Sequence, residues 1–98
     1  MKINKIYDGL MNIISTSEVI VRKDILKSKG GYCLLDNNKL IILNKSLPTE
    51  THCRILARCI GDLNILTADL FIAPALREYI ENEISINSLV QNIEISID

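Results

Sequence analysis

Tryptophan is absent from the 98-residue chain, and phenylalanine occurs once. With hydrophobic residues at 48%, the core therefore has to be built mainly from Ile and Leu. No run approaches the ~20 consecutive apolar residues a membrane-spanning helix needs. Met1 is followed by an amphipathic pattern, without the continuous apolar stretch of a secretory signal. No charge of one sign dominates, the formal net charge being −1. That composition is globular and lacks the basic excess of a nucleic-acid binder. The three cysteines are an odd number without disulfide spacing, which predicts free thiols and a reducing cytoplasm. There is no C-x-x-C knuckle and no G-x-x-x-x-G-K frame. Gly30-Gly31 precedes a strand pattern instead of a helix, so it is no phosphate loop.

What is present fits one domain, residues 1–98. A chain this size buries roughly 60–65% of its unfolded surface, for a net stability of ~5–10 kcal/mol. Its charge is divided. Residues 1–58 sum to +5 and residues 59–98 to −6. Such halves attract each other within the fold or between subunits. The densest basic run, Arg22 to Lys29, has no interleaved aromatics, so it reads as a solvated loop and not as a nucleic-acid platform.

The periodicities predict an α+β fold. Ile3, Ile6, Tyr7, Leu10, Met11 and Ile14 follow helical spacing, giving a helix over 2–15 that Ser15-Thr16-Ser17 ends. Residues 18–22 alternate and are β-branched, a short strand. Tyr32–Asp36 and Lys39–Asn44 flank Asn37-Asn38, and Asn tolerates the positive φ of a two-residue hairpin turn. That register pairs Asp36 with Lys39, Leu35 with Leu40, Leu34 with Ile41 and Cys33 with Ile42. Ser46-Leu-Pro-Thr-Glu50 starts a helix over 46–63, with His52, Ile55, Leu56, Cys59, Ile60 and Leu63 inward. Residues 69–72 read as a strand or a helical turn. Pro74 opens a third helix over 74–84. The tail 85–98 fits a helix (Ile86, Leu89, Val90, Ile93, Ile97) as well as a strand (Ile93, Ile95, Ile97), and is an extension of the domain or a mobile tail. The expected architecture is a three-stranded antiparallel sheet (18–22, 32–36, 39–44) with the three helices on one face. Both faces of the hairpin are apolar, so one is left for a second layer or an interface, with Tyr32, Leu34, Ile41 and Leu43 as the predicted contacts.

The stretch L-A-R-C-I-G-D-L, Leu56 to Leu63, resembles L-A-H-E-I-G-H-L, the helix of minimal zinc peptidases of the ImmA/IrrE type, in which a β-hairpin precedes the active helix. The likeness covers residues 31–63. It implies that Arg58 stands at the first zinc histidine, Cys59 at the general-base glutamate and Asp62 at the second histidine. Arg58 stays protonated and has no acceptor, Cys59 is no carboxylate base, and Asp62 alone is one ligand. Zinc hydrolysis by this motif is excluded on that ligand set. The stretches G-G-Y-C-L, L-N-K-S-L-P and P-A-L-R-E also look like those of small uncharacterised bacterial proteins, a likeness that brings no function with it.

Spacing also bears on the other constellations. Arg58 and Asp62 are four apart and suit an exposed ion pair. Glu78 and Glu81 read as a solvated face, and Arg77 as a partner for Asp62 or Asp69. A metal- or thiol-dependent site needs Cys33, His52 and Cys59 to converge, with His52 and Cys59 two helical turns, ~10 Å, apart, too far for direct proton transfer. The sequence thus favours a non-catalytic, homodimeric protein-interaction module without cofactor, catalytic residues, membrane or nucleic-acid partner. The Cys33/His52/Cys59 site is the alternative.

Overall fold

A computed structural model describes residues 2–26, 32–37, 39–66 and 70–97, with side-chain burial described up to Ile86. Helix α1 (Ile3–Ser15) leads to strand β1 (Ile20–Asp24), the hairpin strands β2 (Tyr32–Leu35) and β3 (Leu40–Asn44), then helices α2 (Thr49–Asp62) and α3 (Pro74–Ile97). The α+β class is as expected. The sheet is mixed where a wholly antiparallel one was expected: β3 is central, antiparallel to β2 and parallel to β1. The physical reason lies in composition. Leu40-Ile-Ile-Leu43 is apolar on both faces and suits the middle, whereas Arg22-Lys-Asp24 suits an edge that should resist further pairing. β1 also starts later than predicted, because Ser17 turns the chain first. Its hydroxyl donates to Ile14 O and accepts from Val19 N.

The hairpin register is the predicted one for Leu35–Leu40, Leu34–Ile41 and Cys33–Ile42. Positive φ falls on Asn37, as expected, and also on Asp36, at 59° and 54°, since Asp too tolerates the left-handed region. Lys39 N donates to Leu35 O, and Lys39 pairs with Glu18 at 3.3 Å instead of with Asp36. Asn38 lies outside the described residues, as do residues 27–29 of the basic run, the glycine pair 30–31 and Asp69.

Both helix ends have local causes. Ser15, Thr16 and Ser17 hydroxyls donate to the carbonyls of Asn12, Ile13 and Ile14, each at 2.6 Å, satisfying groups the helix leaves open. Asn64, at φ 52°, ends α2. Ile65 N donates to Ile60 O and Asn64 N to Gly61 O, the paired bonds of a left-handed C-terminal cap. α2 starts three residues after the predicted position, with Pro48 as its extended N-terminal flank. Ser46 is held in a turn by Asn44 Oδ1. The ambiguous tail is helical to Ile97.

α2 is the central helix. It packs on α1 and α3, and its buried residues are His52, Cys53, Ile55, Leu56, Ala57, Cys59 and Ile60. That arc is wider than the predicted stripe because Cys53 also faces α1, its Sγ 3.8 Å from Ile3 O. At Gly61, α3 comes very close. A Cβ there would sit 2.7 Å from Ile84 Cγ1. Gly61→Ala gains about 1 kcal/mol of helix propensity but overpacks the contact, at about 1–3 kcal/mol. We expect a net loss of stability in urea unfolding, and recovery of most of it when Ile84→Ala is added. Additive effects of the two substitutions would show that the close approach is not what fixes glycine there.

Candidate functional site

The expected zinc-motif positions come together on one side of α2, between the β2 edge and α3. Arg58 is drawn to Glu83 of α3, its Nη2 3.7 Å from Glu83 Oε2, not to Asp62. The Glu83 side chain is only 13% exposed. Arg54, one turn before Arg58, and Ile86 complete a cavity of about 260 Å³ between α2 and α3. Tyr79 of α3 belongs to the same cluster. Burial pushes its hydroxyl up to about 12, Cys53 and Glu83 add to the rise, and Arg54 and Arg58 oppose it. On the sheet side, burial raises the Tyr32 hydroxyl, with Cys59 and Asp62 adding and Arg58 opposing.

These groups do not fit a zinc ion. Arg58 offers no lone pair and is already paired with a carboxylate. Cys59 is 2% exposed and lies in the core. Burial, then Asp62, pushes its thiol up to about 12, so it holds its proton at neutral pH. Burial, then Glu50, takes Cys53 to about 11. A nucleophilic cysteine needs the opposite shift.

The alternative cluster of Cys33, His52 and Cys59 does not assemble. Cys33 pairs with Ile42 on the outer face of the sheet, one position out of phase with the buried Ile41 and Leu43. His52 and Cys59 lie in the core on the other side. His52 Nε2 is 2.8 Å from Asn44 O. A carbonyl only accepts, so Nε2 carries the proton and pegs α2 to the end of β3. Among the described residues, no three or more His, Cys, Asp or Glu side chains are placed to hold a metal ion. A cavity of about 440 Å³ at the C-terminal ends of α1 and α2 is lined by hydroxyl, amide and aliphatic groups such as Thr16, Ser17, Asn64 and Leu63, without an ionisable one among the described residues. Arg77 pairs with Glu81 at 4.0 Å instead of with Asp62.

The predicted interface residues lie on the wrong face. Ile41 and Leu43 are fully buried, and Leu34 packs against the core beside them. Tyr32 shares their face at the β2 edge and is half exposed. Register explains the choice. The inner rows are Val21–Ile41–Leu34 and Lys23–Leu43–Tyr32. Turning the other face inward would bury Arg22 and Asp24, which is costly for unpaired charges. Lys23, at the rim, places its ammonium 4.6 Å from the centre of the Tyr7 ring. The outer rows are Ile20–Leu40–Leu35 and Arg22–Ile42–Cys33. Ile20 is 62% and Leu35 43% exposed.

No protein-family model, curated protein or solved structure matches the chain significantly. Among the described residues, no helix is long and apolar enough to cross a membrane.

The thiols give a direct check of this geometry. We expect a disulfide-exchange reagent at pH 8 to modify one cysteine rapidly in the native protein, Cys33, and all three in denaturant. Because the folded state holds the Cys53 and Cys59 protons more tightly than the unfolded chain, their contribution is intact below pH 9 and is lost as pH rises towards about 11 and 12. Stability measured from pH 8 upwards should therefore decline across that window, and decline less steeply in a Cys53→Ala, Cys59→Ala variant. Rapid reaction of Cys59 in the native state would contradict its burial.

Proposed function

We propose that the chain is a non-catalytic protein-interaction module that self-associates through the outer face of its sheet. The single observation that carries this reading is the apolar outer row Ile20–Leu40–Leu35, continued by Ile42 and Cys33, on the side of the sheet away from the α2 core. Contiguous apolar rows of this kind, exposed at Ile20 and Leu35 and half-buried at Leu40, Ile42 and Cys33, mark contact surfaces.

Size decides what the partner must bring. Three strands of four or five residues span about 16 Å by about 10 Å, from a rise of ~3.3 Å per residue and a spacing of ~4.8 Å. That falls well short of the ~800 Å² per partner of a standard interface, so a second element has to contribute. α3 continues thirteen residues past Ile84, where it meets Gly61. Its sequence there carries Leu89, Val90, Ile93 and Ile97 at helical spacing, with Glu94 as its charge. The outer face carries Arg22, and the half of the chain that supplies it sums to +5 against −6 for the half that supplies α3. A second copy of the chain brings both surfaces at once, and in a symmetric pair each is used twice.

The scaffold is read as peptidase-like, with its zinc motif replaced. What supports this is the L-A-R-C-I-G-D-L frame on α2, directly after the β2–β3 hairpin. The three free thiols suit the reducing cytoplasm. Sedimentation equilibrium tests the whole reading. The wild-type chain should be a dimer at tens of micromolar, and Leu40→Glu or Ile42→Glu should dissociate it at least tenfold without loss of helical circular dichroism. A monomeric wild-type chain at hundreds of micromolar would refute self-association.

A further inference from the structure

The outer sheet face does not involve the cavity between α2 and α3, and that cavity has its own chemistry. Among the described residues its lining is Arg54, Arg58, Glu83 and Ile86: two basic side chains, one acidic and one aliphatic. The Arg58–Glu83 contact, at 3.7 Å, is an ion pair too long for a hydrogen bond. Among the described residues, Arg58 Nε is buried and has no hydrogen-bond partner. A buried N–H without a partner is uncommon enough in folded proteins to require a cause. The Arg58 side chain as a whole is 37% exposed, so a rotation of the guanidinium brings Nε to the cavity, and among the described residues only a distant acceptor lies at Nη2.

We propose that Arg54, Arg58 and this cavity form a binding site for a single carboxylate group. Nε–H and one Nη–H of an arginine make a fork that matches the two oxygens of a carboxylate. Closing on such a group gives Arg58 the acceptor it lacks. Arg54 lies one turn away on the same side of α2, where i and i+4 side chains are neighbours. With Glu83 present the cluster has a net charge of +1, which one carboxylate neutralises. A phosphate dianion would leave the cluster negative against the largely buried Glu83. Ile86, at 47% exposure, gives the ligand an aliphatic wall. The ligand is therefore a monocarboxylate with some apolar surface, either a small acid or an acidic side chain of a protein. The site does not depend on self-association.

Nitrogen-15 spectra of the full chain resolve arginine Nε–Hε signals, and Arg58→Lys assigns that of Arg58. Sodium acetate, titrated against sodium chloride at constant ionic strength, should move the Arg58 signal saturably, with half-saturation in the millimolar range. Arg54→Gln should weaken acetate binding and Glu83→Gln should strengthen it, each by roughly twofold to fivefold, as partly screened charges act. The increase with Glu83→Gln is the informative direction, because a purely structural Arg58–Glu83 pair would only loosen. A blocked Gly-Glu-Gly peptide that binds tighter than acetate would assign the ligand to a protein side chain, and one that binds no tighter would assign it to a small acid. A shift linear in salt, stronger binding of inorganic phosphate than of acetate, or no gain with Glu83→Gln would overturn the proposal.

Discussion

Helix α2 is covered on three sides, and the rest of the molecule takes its place from that burial. α1 lies along one flank and α3 across the other, and the sheet shares its core through Ile41 and Leu43 and the His52–Asn44 hydrogen bond. A helix enclosed in this way has few positions left for polar chemistry. Cys53 and Cys59 serve as small core groups, and their thiols are kept protonated by the same burial that makes them useful for packing. Gly61 permits Ile84 to approach at a distance no side chain would allow. His52, the polar side chain among the helix's buried residues, is used up on the carbonyl that ends β3. The residues that resemble a reactive motif in order are, in space, those that fix the neighbouring elements.

The sheet shows a different constraint. Its central strand is apolar at every position from Leu40 to Leu43, so the strand alone does not say which face is the core. The neighbours decide. Val21 is accommodated under the helices and Lys23 at their rim, whereas Arg22 and Asp24 could not be buried there. Both faces remain apolar as a result, and the one turned away from the core keeps Ile20 and Leu35 exposed.

This shows how far the sequence could be read. The helices, the hairpin and three of its cross-strand pairs were legible, because each rests on contacts or turn chemistry within about ten residues. The partner of β1 was not, since strand order depends on how the whole sheet covers the helices. The choice of face failed for the same reason. A shift of one residue moves every side chain to the other side, and Ile41–Leu43 and Leu40–Ile42 are equally hydrophobic. Among the site residues, Arg58, Cys59 and Asp62 were correctly placed on one helix. Glu83 was missed, because its tie to Arg58 spans two elements that share no sequence pattern. Only the spacing of Arg54 and Arg58, four apart on α2, could have pointed to the cavity.

The contrast between the two surfaces bears on how such a domain is used. An apolar sheet face discriminates poorly by itself, since burial of aliphatic area is non-directional. A guanidinium fork is more selective, because its two parallel N–H donors match the two oxygens of a carboxylate. The two proposed recognition surfaces are separate. One lies on the outer side of the sheet, the other between α2 and α3. α3 approaches α2 closely at Ile84 and Gly61, beside Glu83 and three residues after Arg58, so the packing that joins the two helices also brings the carboxylate to 3.7 Å from the guanidinium.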